Sequence, residues 1–334
     1  MTTKLTKLFT YTIIGVFALI FALLFLIRAT AFINTKYFSY EPTTGEYISI
    51  NNERIYVQQK GTLNDKPTFV FIHGTGSWSQ LWMPTMEKVS NLGFHSVAID
   101  LPPFGYSRTI DNEAIEFGRF KQAERIINVL NQLNINNIIL VGHSFGGQAT
   151  LTTATKMPDR VKGLILVNVA LGFGIQDDMT TIPPPPTWLK LALQQAQIRK
   201  TMAAIGIFPP LTKFLVSSFV YNTESVTAKI TKMYQKPLKT KGKILYIGDW
   251  LRHFILSDDN HLTANANQYQ TFDFKTNIIW GDKDTITPLW QAEAIRNLIP
   301  NSRIMTIQNA GHIPMIESEQ QYLNKITELA IQMS

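Results

Sequence analysis

The chain has 334 residues, 45% hydrophobic and 16% charged, which is the composition of a folded protein rather than a disordered one. Its formal charge of +7 is concentrated at the start: the first 36 residues hold Lys4, Lys7, Arg28 and Lys36 and no acid, and the other 27 basic and 24 acidic residues differ by only +3 with no clustered basic stripe, so nucleic acid is not an expected partner. Cysteine is absent, which excludes disulfides, thiolate metal sites and a cysteine nucleophile while leaving the redox compartment open.

Leu8 to Ile27 form an uncharged run of 20 residues, LFTYTIIGVFALIFALLFLI. At ~1.5 Å per residue such a helix spans a hydrocarbon core of roughly 30 Å. Only Thr10 and Thr12 are polar within it, so it lacks the polar face of a core helix. Two readings stay open. One is an uncleaved signal anchor; the other is a signal peptide removed after Ala29-Thr30-Ala31, giving a secreted protein. The run is long for a cleavable segment, and Arg28 interrupts the approach to the small-residue site. The α-amino group, Lys4 and Lys7 precede the run and Arg28 and Lys36 follow it, a slight bias that predicts an inside N-terminus and a periplasmic or other extracytoplasmic remainder.

Past a short polar linker the pattern becomes strand–helix alternation. EYISI (46–50) and RIYVQQ (54–59) alternate across Asn51-Asn52 and predict a hairpin. PTFVFIHG (67–74) is the continuous apolar run of a buried central strand, and the segments at 95–100, 136–143, 161–170, 274–282 and 302–310 repeat the type. Helical patterns lie between them, at 112–133, 146–157, 289–298 and 317–333. The expected fold class is α/β, with a mostly parallel sheet covered by helices on both faces. The alternation breaks at 171–260, where a loop holding Pro183 to Pro186 leads into amphipathic helices at 188–206 and 211–236. An insertion at this point would cover the carboxyl ends of the strands, where ligands bind in open α/β sheets. The expected organisation is an anchor and linker at 1–36, a core at 37–170 and 261–334, and a helical cap at 171–260.

The motifs that carry chemistry sit at strand ends. G-H-S-F-G, Gly142 to Gly146, follows the strand NIILV and precedes a helical stretch, the context of a nucleophile elbow with Ser144 at its tip. Bulk at Gly142 or Gly146 would collide with the neighbouring strand or helix, and the following helix aims its positive end at a developing oxyanion. Phe71-Ile72-His73-Gly74-Thr75-Gly76 ends a buried strand. Asp100-Leu101-Pro102-Pro103-Phe104-Gly105-Tyr106-Ser107 follows another, as do Gly281-Asp282-Lys283-Asp284-Thr285-Ile286-Thr287-Pro288 and Ala310-Gly311-His312.

Together these segments make residues 46–334 resemble the α/β-hydrolase family. The resemblance implies an α/β-hydrolase fold and a serine hydrolase with Ser144 as nucleophile, His312 as base and Asp284 as its orienter, in the family's chain order. It assigns the oxyanion hole to the backbone N–H groups of Thr75 and Phe145 and gives His73 a loop-ordering role. The pattern G-x-x-D-x-x-x-P selects Asp284 over Asp282, which is left as a turn or capping residue. Glu317, five residues past His312, is a position the family often fills this way. Pro103 departs from the family's usual glycine and implies a stiffer loop, read as one wall of the site. Of the other histidines, His95, His143, His253 and His261 lack such a context; His253 and His261 fall in or near the cap and are read as solvated, with substrate contact as the alternative.

The implied reaction needs no metal or organic cofactor. The cap's apolar residues, among them Trp188, Leu189, Leu191, Leu193, Ile207, Phe208, Leu211, Phe214, Leu215, Phe219 and Tyr221, point to a hydrophobic acyl ester, with most of them expected in ordinary core contacts. The same constellation serves C–C bond hydrolases, perhydrolases, amidases and acyltransferases, and a non-catalytic membrane-tethered binding protein could keep the fold. Nothing in the residues sets the oligomeric state.

Overall fold

The computed structural model describes residues 2–37, 41–110, 115–171, 185–256, 269–299 and 301–333. Pro183, Pro184 and His261 lie outside the described residues. The first element is one continuous helix, α1 (Thr2–Tyr37), of 36 residues. Its Phe9–Lys36 stretch is long and apolar enough to cross a membrane, and 6% of that apolar window is buried. The last turns behave differently: Ile27, Ala31 and Thr35, each four residues from the next, form a buried face.

The strands β1 (Glu46–Ile50) and β2 (Glu53–Lys60) form the expected hairpin, with Asn51 at φ 51° in its two-residue turn. Then come β3 (Thr68–Ile72), α2 (Met83–Ser90), β4 (Ser96–Ile99), β5 (Arg108–Thr109), α3 (Arg119–Gln132), β6 (Ile138–His143), α4 (Gly146–Lys156) and β7 (Val161–Val167). Among the described residues five α-helices precede the next strand: α5 (Thr187–Gln194), α6 (Ala196–Gly206), α7 (Pro209–Ser217), α8 (Ala228–Leu238) and α9 (Lys243–Leu256). The chain closes with β8 (Lys275–Gly281), α10 (Trp290–Leu298), β9 (Ser302–Ile307), α11 (Pro314–Glu317) and α12 (Glu319–Gln332).

The strands make one sheet in the order β1-β2-β4-β3-β6-β7-β8-β9, with β5 beside β2. It is antiparallel at the β1-β2-β4 edge and parallel from β4 through β9. Every residue of β3, β4 and β6 is buried because both faces are covered. The two-residue period of β3 divides it: Val70 and Ile72 join the core that includes Ile126 and Val129 of α3 and Ile295 of α10. Phe69 and Phe71 join the opposite core with Met86 of α2 and Ile326 of α12.

The inserted helices depart in detail from the sequence pattern. The single helix expected at 188–206 is two, because Gln195 turns extended (ψ 113°) between α5 and α6. The pattern at 211–236 also divides, into α7 and α8, and Thr227 caps the second by accepting from Ile230 N–H at 3.3 Å. The helix α9 has no counterpart in the sequence reading. Trp188, Leu191 and Phe214, expected mostly in core contacts, are 70%, 57% and 70% exposed.

Two side chains of α3 tie it to the first hairpin. Gln132 Nε2 donates to Ser49 C=O at 2.7 Å. The buried Arg125 guanidinium grips Glu53 with both Nε and Nη2, the Nε bond at 2.7 Å, and donates to the carbonyl of Glu116 at 2.8 Å. Arg125→Met leaves the Glu53 carboxylate without its partner and should lower stability by about 3 kcal/mol. Urea unfolding of the detergent-solubilised chain reads this, and an unchanged midpoint would contradict it.

Candidate active site

The loops after β6, β8 and β9 converge at the carboxyl edge of the sheet, each carrying one residue singled out from the sequence. Ser144 follows β6 at φ 52°, a region that costs a non-glycine residue roughly 1–3 kcal/mol. The turn is held by its N–H, which donates to Val167 C=O at 3.1 Å, and by its C=O, which accepts from Gly147 and Ala170 N–H at 2.9 Å each. Space around it is tight. A Cβ at Gly146 would strike the His73 carbonyl oxygen, and one at Gly74 would stand 2.6 Å from Ser144 Cβ.

Ser144 Oγ lies 2.8 Å from His312 Nε2, and His312 Nδ1 lies 2.8 Å from Asp284 Oδ2. The carboxylate can only accept, so Nδ1 carries the proton and Nε2 is free to accept from the hydroxyl. Asp284 takes four further hydrogen bonds: Ile286 and Thr287 N–H on Oδ1 at 2.8 and 2.9 Å, and Asn168 Nδ2 and Thr287 Oγ1 on Oδ2 at 2.6 Å each. Burial alone pushes this carboxyl up, but its bond and charge contact with His312, helped by Thr287 and Asn168, hold it below the ordinary 3.8. Asp282 stays out of the relay. It accepts weakly from Ala310 N–H at 3.4 Å and pairs with Lys283 at 3.7 Å, so it serves the turn.

The His312 loop is clamped from several sides. His312 N–H donates to Phe219 C=O at 3.0 Å, and His312 C=O accepts from His143 Nε2 at 2.8 Å. Burial drives His143 down to about 3, so this ring is neutral. Glu317 accepts from Gly311 N–H at 3.0 Å and from Ile313 N–H at 3.3 Å. It also accepts from Tyr221 and Asn222 N–H of the insertion at 2.6 and 3.1 Å. His73 orders its own loop: Nδ1 donates to Gly74 C=O at 2.8 Å and Nε2 accepts from Leu101 N–H at 2.9 Å.

A cavity of about 360 Å³ opens onto Ser144 and His312. Thr75 lines it, as do Phe104, Ile207, Leu215, Phe219 and Trp250, and no Arg, Lys, Asp or Glu is among its described lining residues. Phe145, the residue after Ser144, stands at the head of α4, where the first N–H groups have no partner within the helix. The Asp100 loop supplies Phe104 to the wall. Asp100 itself is buried, accepting from Ser79 and Tyr106 N–H at 2.7 Å each, and burial pushes its carboxyl up to about 6. Lys243 of α9, also buried, donates to Pro103 and Gly105 C=O at 2.7 Å each and ties the insertion to this loop. His253 packs by the Phe117 ring at 6.2 Å, away from the described cavity lining, and His95 bonds Thr68 and Gln59 at 3.2 and 3.1 Å.

A family model described as the alpha/beta hydrolase fold matches residues 67–319. The chain belongs to the α/β-hydrolase family. Among relatives, a 2-hydroxy-6-oxononadienedioate/2-hydroxy-6-oxononatrienedioate hydrolase of Paraburkholderia phymatum is 26% identical over 286 residues, covering 81% of this chain and 90% of its own. An esterase from Exiguobacterium antarcticum superposes with a TM-score of 0.68 at 18% identity, over 86% of this chain and 99% of the esterase. A meta-cleavage product hydrolase from Pseudomonas fluorescens superposes with a TM-score of 0.67 at 17% identity, over 87% and 99%. Reasoning from sequence missed Asn168 and Thr287 as partners of Asp284. A lone polar Asn168 after the apolar run of β7 was the available signal.

Because the Asp284 carboxyl is depressed in the folded state, its contribution to stability is complete above 3.8 and disappears as pH falls through the lower folded value. Below about pH 4 the wild type should lose stability more steeply than Asp284→Asn. Unfolding midpoints across an acid series measure this; parallel slopes would contradict it.

Proposed function

We propose that this α/β hydrolase cleaves apolar carboxylic esters through an acyl-enzyme, with Ser144 as nucleophile, His312 as general base and Asp284 as the orienting acid. The observation that carries the reading is the unbroken Ser144–His312–Asp284 relay, 2.8 Å at each step, at the wall of an apolar cavity. Ser144 Oγ attacks the ester carbonyl while His312 Nε2 takes its proton, and Asp284 stabilises the imidazolium. The N–H groups of Thr75 and Phe145 are the proposed donors to the oxyanion, each worth about 3 kcal/mol. His312 then gives its proton to the leaving alcohol, activates water, and returns the proton to Ser144 as the acid leaves. We assign 171–260 the role of a cap over this cavity, between core segments 37–170 and 261–334.

A second reading, hydrolysis of a C–C bond, is supported by the relative from P. phymatum, whose named substrate is a dioate. The described lining of the Ser144 cavity is mostly apolar, with neutral polar groups such as Ser77, Thr212 and Tyr234, and this composition suits an apolar ester.

A fluorophosphonate probe should label the wild type and leave Ser144→Ala unlabelled, and turnover of p-nitrophenyl esters should rise from acetate toward longer acyl chains. Ser144→Ala should lower kcat by about a millionfold. Absence of labelling together with silence across acetate to palmitate would sink the ester reading; turnover of a 2-hydroxy-6-oxo-dienedioate instead would select the C–C reading.

We further propose that α1 is retained as a membrane anchor with the hydrolase domain outside the cytoplasm. Retention is supported by packing: cleavage after Ala31 would remove Ile27 and Ala31 from a cluster shared with Ala203, Ile247 and Trp250. Protease added to intact spheroplasts should digest the domain, and its survival would overturn this orientation.

A further inference from the structure

The last turns of α1 lie along α6 in a definite register. Arg28 Nη1 donates to Gln197 Oε1 at 3.0 Å and to Thr201 Oγ1 at 3.3 Å, near the start of α6. Farther along both helices, Thr35 and Ala204 line a common groove with the start of α9. This groove encloses about 460 Å³. Four cations border it, Arg28 and Lys36 from α1, Lys200 from α6, and Lys241, with no Asp or Glu among its described lining residues. Its apolar side is formed by Phe32, Ile244 and Leu245, of which Phe32 is 55% and Leu245 44% exposed.

Depth decides what such a groove can meet. The uncharged run ends at Ile27, so Arg28 stands at the hydrocarbon boundary. Arg28 to Lys36 then rises ~12 Å along the helix axis. The headgroup layer adds roughly 5–8 Å on each side of the hydrocarbon, so the exposed Phe32, ~6 Å above Arg28, falls within that layer, and Lys36 reaches its outer edge. Cations there attract anionic headgroups, and nothing acidic in the lining offsets them.

We propose that this groove binds the headgroup of an anionic phospholipid, its phosphate among the cations and its glycerol carbons on Phe32, Ile244 and Leu245. A free phosphate has no use for the apolar side, which is why the site is assigned to a membrane lipid. The proposal rests on reading α1 as a retained membrane helix. The bound lipid bridges α1 to α6 and α9, which also supply Met202, Ile205, Ile247 and Trp250 to the Ser144 cavity.

Carbonate extraction of membranes holding the full chain separates the two readings: release into the supernatant overturns the anchor and this site with it. For retained protein, the chain is purified from mixed phosphatidylcholine and phosphatidylglycerol vesicles and its co-purifying lipids are weighed by mass spectrometry. Phosphatidylglycerol should be enriched over its vesicle share, and Lys200→Gln/Lys241→Gln should cut that enrichment by roughly tenfold. The double variant should keep the wild-type thermal midpoint in pure phosphatidylcholine; if it unfolds, the single exchanges are each expected to give a partial loss. No enrichment in the wild type, or equal enrichment in folded variants, overturns the site. Glycerol phosphate in solution raising the midpoint as far as phosphatidylglycerol does also overturns it, in favour of a free-phosphate site.

Discussion

A carboxylate buried as deeply as Asp284 is stable only if its charge is answered by donors, and five hydrogen bonds answer it. Much of the site's geometry follows from that requirement. Two donors come from the turn just after Asp284, one from the Thr287 side chain, one from Asn168 at the end of β7, and the last is the imidazole of His312. The carboxylate therefore fixes which nitrogen of His312 carries the proton and so which nitrogen faces Ser144. A protonated Asp284 would lose its claim on these donors, and the ring would no longer be held in one tautomer.

The insertion between β7 and β8 does more than line the cavity. Its backbone at Phe219 accepts the His312 N–H, and its Tyr221 and Asn222 amides share the Glu317 carboxylate with Gly311. On the opposite side Lys243 reaches the carbonyls of the Asp100 loop. The inserted helices and the proposed catalytic loops thus hold each other through backbone hydrogen bonds rather than through side-chain packing alone. A displaced insertion would leave His312 N–H and the Glu317 carboxylate short of partners in a largely desolvated site.

The terminal helix joins the same system. Its apolar turns are exposed, as a lipid-facing surface would be, while Ile27 and Ala31 enter a cluster with Trp250, whose ring stands at 4.9 Å from Phe104 in the cavity wall. The last turns of α1, the inserted helices and the cavity wall are in this way one continuous packed structure.

The sheet was legible in the residues because buried parallel strands require apolar runs, clearest in the central PTFVFIHG and NNIILVGH and weaker toward the edge strand SRIMTIQNA. That Ser144, Asp284 and His312 would meet was legible because each sits in a short strand-end segment of recognisable pattern; at the first of these, Gly142 leaves room for Thr150. What remained hidden depends on contacts between distant segments. Gln195 breaks a pattern that periodicity alone reads as one helix. Asn168 lies 116 residues from the carboxylate it serves, and the mate of Lys243 is a loop 138 to 140 residues earlier. Local sequence determines which residues favour a strand, a helix or a tight turn, since those preferences act over a few neighbours. Only the tertiary structure decides which buried polar group meets which, because desolvation is felt once the chain has closed around it.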